Sequence, residues 1–299
     1  MPCYKPITGF VPLEGGQVVF SEKKNCREVK IPCGGCVGCR LERIDAWGFR
    51  CMAEASLHRD NWFVTMTYDD EHLPVDESLD HRHWQLFAKR LRKRVGPFRF
   101  FMCGEYGENT QRAHLHALLF GCDISDLRKC NSVYSSHDLF ESKLLNDVWG
   151  NGFCSVGTVT HESAKYVASY VMKRVSSELE AERFSWVTRF GELVVRKQPY
   201  GKMSLKPGIG ADWLRKYSRD VANHAAVFDN QFRKKVPPYF RDLMTTVDPK
   251  AADDLEVNLT ERGLMYSNPD NETYDRLAVR ENVAKARIRF NKERFPNGL

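Results

Sequence analysis

The chain has 299 residues, enough for one large domain or two small ones, and a hydrophobic content of 42% suffices for a buried core. Charged residues make up 28%, and no apolar run is long enough to span a bilayer, which excludes a helical membrane protein. A net charge of +6 permits a nucleic-acid partner without demanding one. Ten cysteines in a chain whose start, Met1-Pro2-Cys3-Tyr4-Lys5, lacks a secretory pattern point to a reducing compartment and to thiols or metal ligands rather than disulfides.

Residues 1–40 are rich in Gly, Pro and Cys and show little periodicity. Cys33, Cys36 and Cys39 form a C-x2-C-x2-C run, and Gly34, Gly35 and Gly38 let the backbone bend so that several thiolates can reach one ion. A structural zinc site needs a fourth ligand, for which Cys3 and Cys26 both qualify; an iron–sulfur cluster, or a loop of unligated thiols, is the competing reading. Leu41, Ile44, Trp47 and Cys51 recur at helical spacing and predict a helix over 40–58. The β-branched and aromatic run Asn61–Tyr68 predicts a buried strand, followed by an acidic loop, Asp69-Asp70-Glu71-His72. Trp84, Phe87, Leu91 and Val95 form the apolar stripe of an amphipathic helix over 81–95. Its other face carries Lys89, Arg90, Arg92, Lys93 and Arg94, a solvated face or, in a DNA enzyme, a phosphate-contact surface.

Two central strands follow, the first over Phe98–Cys103 and the second ending near Cys122. Residues 123–136 read as a loop. Leu139, Phe140, Leu144, Leu145 and Val148 support a short helix stopped by Gly150-Asn151-Gly152. Phe153–Val159 reads as a strand, 184–206 as one or two strands, and Trp213, Leu214, Tyr217 and Val221 mark another helix. After Pro249 the chain turns polar, with an exposed helix expected from about Thr273 to Arg289.

Two stretches carry chemistry. In Arg112–Gly121, side-chain alternation along a strand puts His114 and His116 on one face, where two imidazoles can share a divalent ion. Gly104, Gly107 and Asn109 supply turn residues between this strand and the preceding one, so a hairpin could bring Glu105 beside the histidines. Two nitrogens and a carboxylate would leave coordination positions open for a substrate oxygen. The second stretch, Lys165–Arg174, reads as helix, with Thr160 able to cap its start. At about 100° per residue Tyr166, Tyr170 and Lys173 share one stripe, while Ala164, Val167, Ala168, Val171 and Val175 form the apolar stripe, so the tyrosines are not expected to be what the helix buries.

This combination resembles the HUH endonucleases and, among them, the two-tyrosine rolling-circle replication initiators. Pro32–Arg40, Thr65–Asp70, Cys103–Glu108 and Met203–Gly210 then follow in an order that resembles the replication initiators of gokushovirus-type microviruses, small bacteriophages with single-stranded DNA. The likeness runs from about Cys3 to about Tyr239 and thins thereafter. It implies an α+β chain with the HUH endonuclease fold, a central antiparallel sheet with flanking helices and the His-x-His strand in its middle. The expected organisation is a cysteine-rich zinc-binding segment at 1–40, an HUH endonuclease domain at 41–245 and a charged, partly helical tail at 246–299. The resemblance favours Cys3 as the fourth zinc ligand, because an early cysteine before a proline, here Pro6, recurs in the family.

For the catalytic ion, held by His114, His116 and Glu105, the resemblance implies Mg2+ or Mn2+; imidazoles suit manganese, abundance favours magnesium. The implied reaction nicks single-stranded phage origin DNA through Tyr166 or Tyr170, leaving a 5′-phosphotyrosine and a free 3′-hydroxyl, with Lys173 assisting the phenol or the leaving oxygen. The other tyrosine would cut the regenerated origin, and the released 3′ end would close a circle. Implied partners are the host helicase and DNA polymerase in the host bacterial cytoplasm, with no membrane; the chain has no G-x4-G-K-[ST] phosphate loop of its own. Competing functions are an HUH transposase or relaxase, a zinc-dependent DNA-binding regulator without catalysis, and a hydrolase acting through water.

Overall fold

The computed structural model describes residues 3–14, 16–21, 25–107, 109–130, 138–171, 180–229, 231–266 and 268–294. The chain divides into two compact units, Met1–Ala46 with Glu256–Leu299, and Trp47–Leu255.

In the first unit β1 (Ile7–Pro12) pairs antiparallel with β2 (Cys26–Ile31), register Ile7 to Ile31. The sequence pattern predicts no strands in 1–40. Glycine and proline hide the alternation there, and the partner strand is many residues away, so the pairing is not visible locally. Helix α1 (Val37–Ala55) starts inside the cysteine run, directly after Cys36, and carries Cys39 in its first turn. Tyr4 and Cys36 are buried with Leu277 of α9 (Tyr274–Arg294), and Cys3, Cys33, Val37, Cys39 and Ala284 pack around them. Helix α8 (Pro249–Met265), in the stretch expected to be a charged, partly helical tail, buries only Ala251, Ala252 and Leu255, too few apolar positions to mark a helix in the sequence.

The second unit is built on a seven-stranded antiparallel sheet. Its strands are β3 (Asn61–Tyr68), β4 (Arg99–Tyr106), β5 (Ala113–Phe120), β6 (Arg128–Cys130), β7 (Leu139–Glu141), β8 (Gly152–Thr158) and β11 (Tyr200–Met203), in the spatial order β11-β4-β5-β3-β8-β7-β6. The expected strands at 61–68, 98–103 and 153–159 are present, with β5 central among them. Two expectations are corrected. The loop predicted over 123–136 contains β6, and Leu139 and Phe140 belong to β7 rather than to the short helix, which is α3 (Lys143–Trp149). Three-residue strands carry too little pattern to be read before their partners are known.

One sheet face is the main core. Val64, Met66 and Tyr68 of β3 and Leu115, Ala117 and Leu119 of β5 meet Trp84, Phe87 and Leu91 of α2 (His81–Val95), with Leu145, Val148 and Trp149 of α3 alongside. Asp80 caps α2, accepting from the Arg82 amide at 2.8 Å, and Gly96 ends it at φ 83°. Because side chains alternate, Thr65, Thr67, His114 and His116 face the other way, toward α4 (His161–Val171). Helix α4 lies against β4, β5 and β11 and buries Ala164, Val167 and Ala168. Its start is held reciprocally: the Ser163 amide donates to Thr160 Oγ1 at 3.1 Å, and the Thr160 amide donates to Ser163 Oγ at 2.9 Å. The remaining elements are α5 (Glu180–Phe184), the hairpin of β9 (Ser185–Val187) and β10 (Leu193–Val195), α6 (Ala211–His224), the hairpin of β12 (Val227–Asp229) and β13 (Phe232–Lys234), and α7 (Pro238–Val247).

Candidate active site

The register of two strands builds the site. Glu105 of β4 stands directly opposite His114 of β5, and His116 stands opposite Thr65 of β3. All four therefore lie on the sheet face covered by α4. Glu105 Oε1 is the meeting point: His114 Nε2 lies 2.9 Å away, His116 Nε2 2.8 Å, and the Tyr166 hydroxyl donates to it at 3.0 Å. Tyr170 donates in turn to the Tyr166 hydroxyl at 3.2 Å. The predicted carboxylate, imidazoles and tyrosines are thus brought together; Lys173, and Val175 of the predicted apolar stripe, lie outside the described residues.

The ligand atoms of Glu105, His114 and His116 all lie within 4.8 Å of one another, close enough for one ion. A sharper sign is Glu105 Oε2, which is buried and has no hydrogen-bond partner among the described residues. A buried carboxylate oxygen without a partner is costly, and a cation would satisfy it. The imidazoles are also held for ligation through their far nitrogens. His114 Nδ1 lies 3.1 Å from the Arg112 carbonyl, which can only accept, so Nδ1 carries the proton and Nε2 faces inward. His116 Nδ1 lies 2.9 Å from Thr65 Oγ1, a hydroxyl that can serve either tautomer. Phe63 stacks on His116 at 5.4 Å between ring centroids. Thr65, Phe63 and the Arg112 carbonyl are not legible as site groups in the sequence; no spacing rule connects β3 to a histidine pair on β5.

Burial differs from expectation. His116 is buried and His114 half-buried, because α4 covers this face. Tyr170 is buried too, at 6% exposure, although it lies off the apolar stripe of Ala164, Val167 and Ala168. The electrostatics follow. Burial pushes the Glu105 carboxyl up, but hydrogen bonds from both histidines outweigh that and hold it below the usual carboxylate range. Burial acts against the His114 cation, yet the Glu105 hydrogen bond and charge win and raise its pKa, whereas burial dominates at His116 and lowers it. Burial, and then the charge of Glu105, raise the Tyr166 phenol. In this field a phenolate needs a compensating cation.

The cysteine cluster is a second metal-competent group. The sulfurs of Cys3, Cys33, Cys36 and Cys39 lie within 4.8 Å of one another. Cys36 Sγ is 3.9 Å from Cys3 Sγ, near the ~3.8 Å edge of a tetrahedron built on zinc–sulfur bonds of about 2.3 Å. Backbone amides of Cys33 and Cys36 donate to Cys3 Sγ and Cys33 Sγ at 3.2 and 3.3 Å, and the Tyr4 amide donates to Cys36 Sγ at 3.3 Å. Burial acts to raise the Cys36 thiol, but the Cys39 and Tyr4 amides and the Cys39 and Cys33 thiols bring it down to about 6, while Cys39 is pushed up to about 12 by burial and the Cys3 and Cys36 thiols. Cys26, the other sequence candidate, begins β2 opposite Pro12 and is not in the group.

Sheet and site together define an α+β protein in which a carboxylate and two imidazoles that could bind a metal adjoin two tyrosine hydroxyls. A family profile described as "Replication-associated protein ORF2/G2P" matches residues 61–175, the span from β3 to α4 that carries the whole cluster. The chain is 35% identical over 268 residues to "Replication-associated protein ORF2" of Spiroplasma virus 4, covering 80% of this chain and 79% of that one. It is 30% identical over 256 residues to "Replication-associated protein VP4" of Bdellovibrio phage phiMH2K, covering 81% and 76%. "Replication-associated protein ORF4" of Chlamydia phage 1 is 28% identical over 225 residues, covering 72% and 53%. No solved structure matches. The chain belongs to this family of phage replication-associated proteins, the microvirus-type replication initiators.

Proposed function

We propose that this protein is a rolling-circle initiator that nicks single-stranded phage origin DNA as an HUH-type endonuclease and rejoins the ends. The observation that carries the reading is the convergence on one carboxylate oxygen, Glu105 Oε1, of both imidazoles and the Tyr166 hydroxyl. His114, His116 and Glu105 would hold Mg2+ or Mn2+, which when bound supplies Lewis-acid stabilisation of charge on the scissile phosphate. The chain's own groups do the rest. Tyr166 loses its proton and attacks phosphorus; the new tyrosyl–phosphate bond replaces the P–O3′ bond, and the 3′-oxygen leaves and takes up a proton. Lys173 is assigned to aid the phenolate or supply that proton. Tyr170, joined to Tyr166 through its hydroxyl, is the second nucleophile for the regenerated origin. The covalent bond conserves the phosphodiester energy, so no nucleotide cofactor is needed for rejoining.

In this reading 41–245 is the endonuclease domain, 1–40 a segment ordered by zinc on Cys3, Cys33, Cys36 and Cys39, and 246–299 a tail. Strand opening and extension fall to the host helicase and polymerase in the host cytoplasm. No helix among the described residues is long and apolar enough to cross a membrane. The test is incubation of the protein with Mn2+ and single-stranded oligonucleotides, followed by a denaturing gel and mass spectrometry. A DNA adduct on Tyr166 or Tyr170 is expected. Cleavage without any protein–DNA bond would assign a water-using hydrolase instead.

A further inference from the structure

A cavity of about 260 Å³ opens beside the site, with Glu105 and Tyr170 in its wall. This is below the roughly 300 Å³ of drug-sized pockets, so it suits one planar group rather than a whole nucleotide. Tyr106, Phe184 and Pro199 supply apolar surface. Besides Glu105 and Tyr170, the polar lining is Gln111 and two arginines, Arg183, which is exposed, and Arg196, which is 4% exposed.

Arg196 is the informative residue. Its guanidinium lies 3.9 Å from the Tyr106 ring and 4.1 Å from the Trp186 ring. Nη1 donates to the Gln111 carbonyl at 2.7 Å and Nη2 to Gln111 Oε1 at 3.4 Å, and Gln111 sits at φ 52°, a left-handed conformation rare outside glycine and typical of positions where geometry is imposed. Nε is buried without a partner among the described residues. Both oxygens of Glu77, the nearby carboxylate, accept from Trp186 Nε1 and the Arg189 amide instead. Arg196 is therefore a buried cation held rigidly on Gln111 through both terminal nitrogens, each with one N–H left over, lining a small half-aromatic cavity beside the cutting site.

We infer that this cavity receives one base of the bound strand, next to the phosphate that is cut, and selects guanine. The inference rests on the endonuclease reading. Arginine offers only donors. Guanine presents two acceptors, O6 and N7, on one edge; adenine and cytosine present an amino donor there, and thymine a single acceptor. An arginine fork can satisfy both guanine acceptors, while aromatic and proline walls cover the base.

The test mixes the full chain with Mn2+ and single-stranded oligonucleotides of random sequence, then sequences the covalent and non-covalent bound fractions separately. Guanine should be enriched about ten- to hundredfold at one position, which in the covalent fraction adjoins the cut. Arg183→Ala and Arg196→Lys should each flatten that preference while single strands are still bound. Replacing the guanine with 7-deazaguanine, which lacks the N7 acceptor, should weaken recovery with the protein unaltered, which guards against variants that misfold. Even recovery of all bases beside the cut overturns the inference, as does a guanine preference that survives both variants or lies only away from the cut. Guanine enrichment with no covalent fraction keeps the pocket and removes the endonuclease; adducts with uniform flanking bases do the reverse.

Discussion

Phenylalanine at 166 or 170 keeps the ring and its packing, so any loss reports a hydroxyl. Tyr166 touches Glu105 directly, whereas Tyr170 reaches it only through Tyr166. Y166F should therefore lower the first cut by at least roughly a hundredfold, while Y170F should still form an adduct but fail to release closed circles. Adduct and circle yields on an origin-containing strand check this; a Y166F/Y170F protein that still forms a covalent bond would falsify the nucleophile assignment. The histidines should differ in a second respect. His116 is buried, stacked on Phe63 and bonded to Thr65, so His116→Ala should cost about 1–3 kcal/mol in denaturant melts, and His114→Ala less. Equal melts for the two variants would show that burial on this face is not what separates them. Protons compete with the ion at His114. Its pKa is raised above the ordinary value of about 6.5, and ligation needs the neutral ring, so Mn2+ affinity should fall as pH drops through that raised pKa, approaching about tenfold per unit below it. Glu105, held low, stays ionised over that range. Calorimetry in buffers of different ionisation enthalpy would count the released proton; affinity independent of pH from 8 to about 6 would mean that His114 is not a ligand.

At the scale of elements, the cysteine run lies in a segment that has little core of its own. Tyr4, Cys36 and Leu277 are the buried hydrophobics of its cluster. About one zinc per chain is expected, retained by Cys26→Ser and lost by Cys3→Ser or Cys36→Ser. Removing the ion should raise amide exchange in residues 3–46 and in α9, whose Leu277 and Ala284 pack on the cysteines, while the seven-stranded sheet keeps its protection. Protection unchanged after metal removal would leave the cysteines without a structural role. A second element-level expectation concerns the β3–β8 ladder. Gly152 has φ 142°, and a Cβ there would lie 2.4 Å from the Thr67 carbonyl oxygen. Gly152→Ala should destabilise the protein by about 2 kcal/mol or more, since both backbone strain and a backbone clash must be relieved. A melt like that of the unaltered chain would show that the two strands can separate freely at that end.

For the molecule as a whole, a net charge of +6 is modest, so strand binding depends on where the cations sit. On α2, Arg90 donates to the Val148 carbonyl at 3.3 Å and Arg92 lies 4.6 Å from the Phe98 ring, so both have structural work. Lys89, Lys93 and Arg94 are exposed on the same helix. If that face meets phosphates, neutralising these three should weaken single-strand binding alike for all sequences. It should also make the salt slope shallower by about 0.7 for each phosphate that no longer meets a cation. Titrations at several salt concentrations measure it; an unchanged slope leaves α2 as an ordinary solvated face.

The same-face pairings of His114 with His116 and of Tyr166 with Tyr170 were legible because each rests on one local period. Two residues along a strand share a face, and four along a helix share a stripe, whatever the rest of the chain does. The C-x2-C-x2-C run was legible for the same reason: three thiols at that spacing can converge from one turn. What the sequence could not determine depends on register and burial. Glu105 lands opposite His114 only because β4 and β5 pair at that offset, and a shift of one residue would turn the carboxylate to the other face. Thr65 supports His116 only because β3 inserts between β5 and β8, a neighbour relation that no local spacing encodes. The burial of His116 and Tyr170 was decided when α4 lay down on that face, since a side chain's exposure belongs to what covers it and not to its own element. The meeting of Arg196 with Tyr106, Gln111 and Trp186 required residues 106 to 196 to converge around β4, and so was fixed by tertiary structure alone.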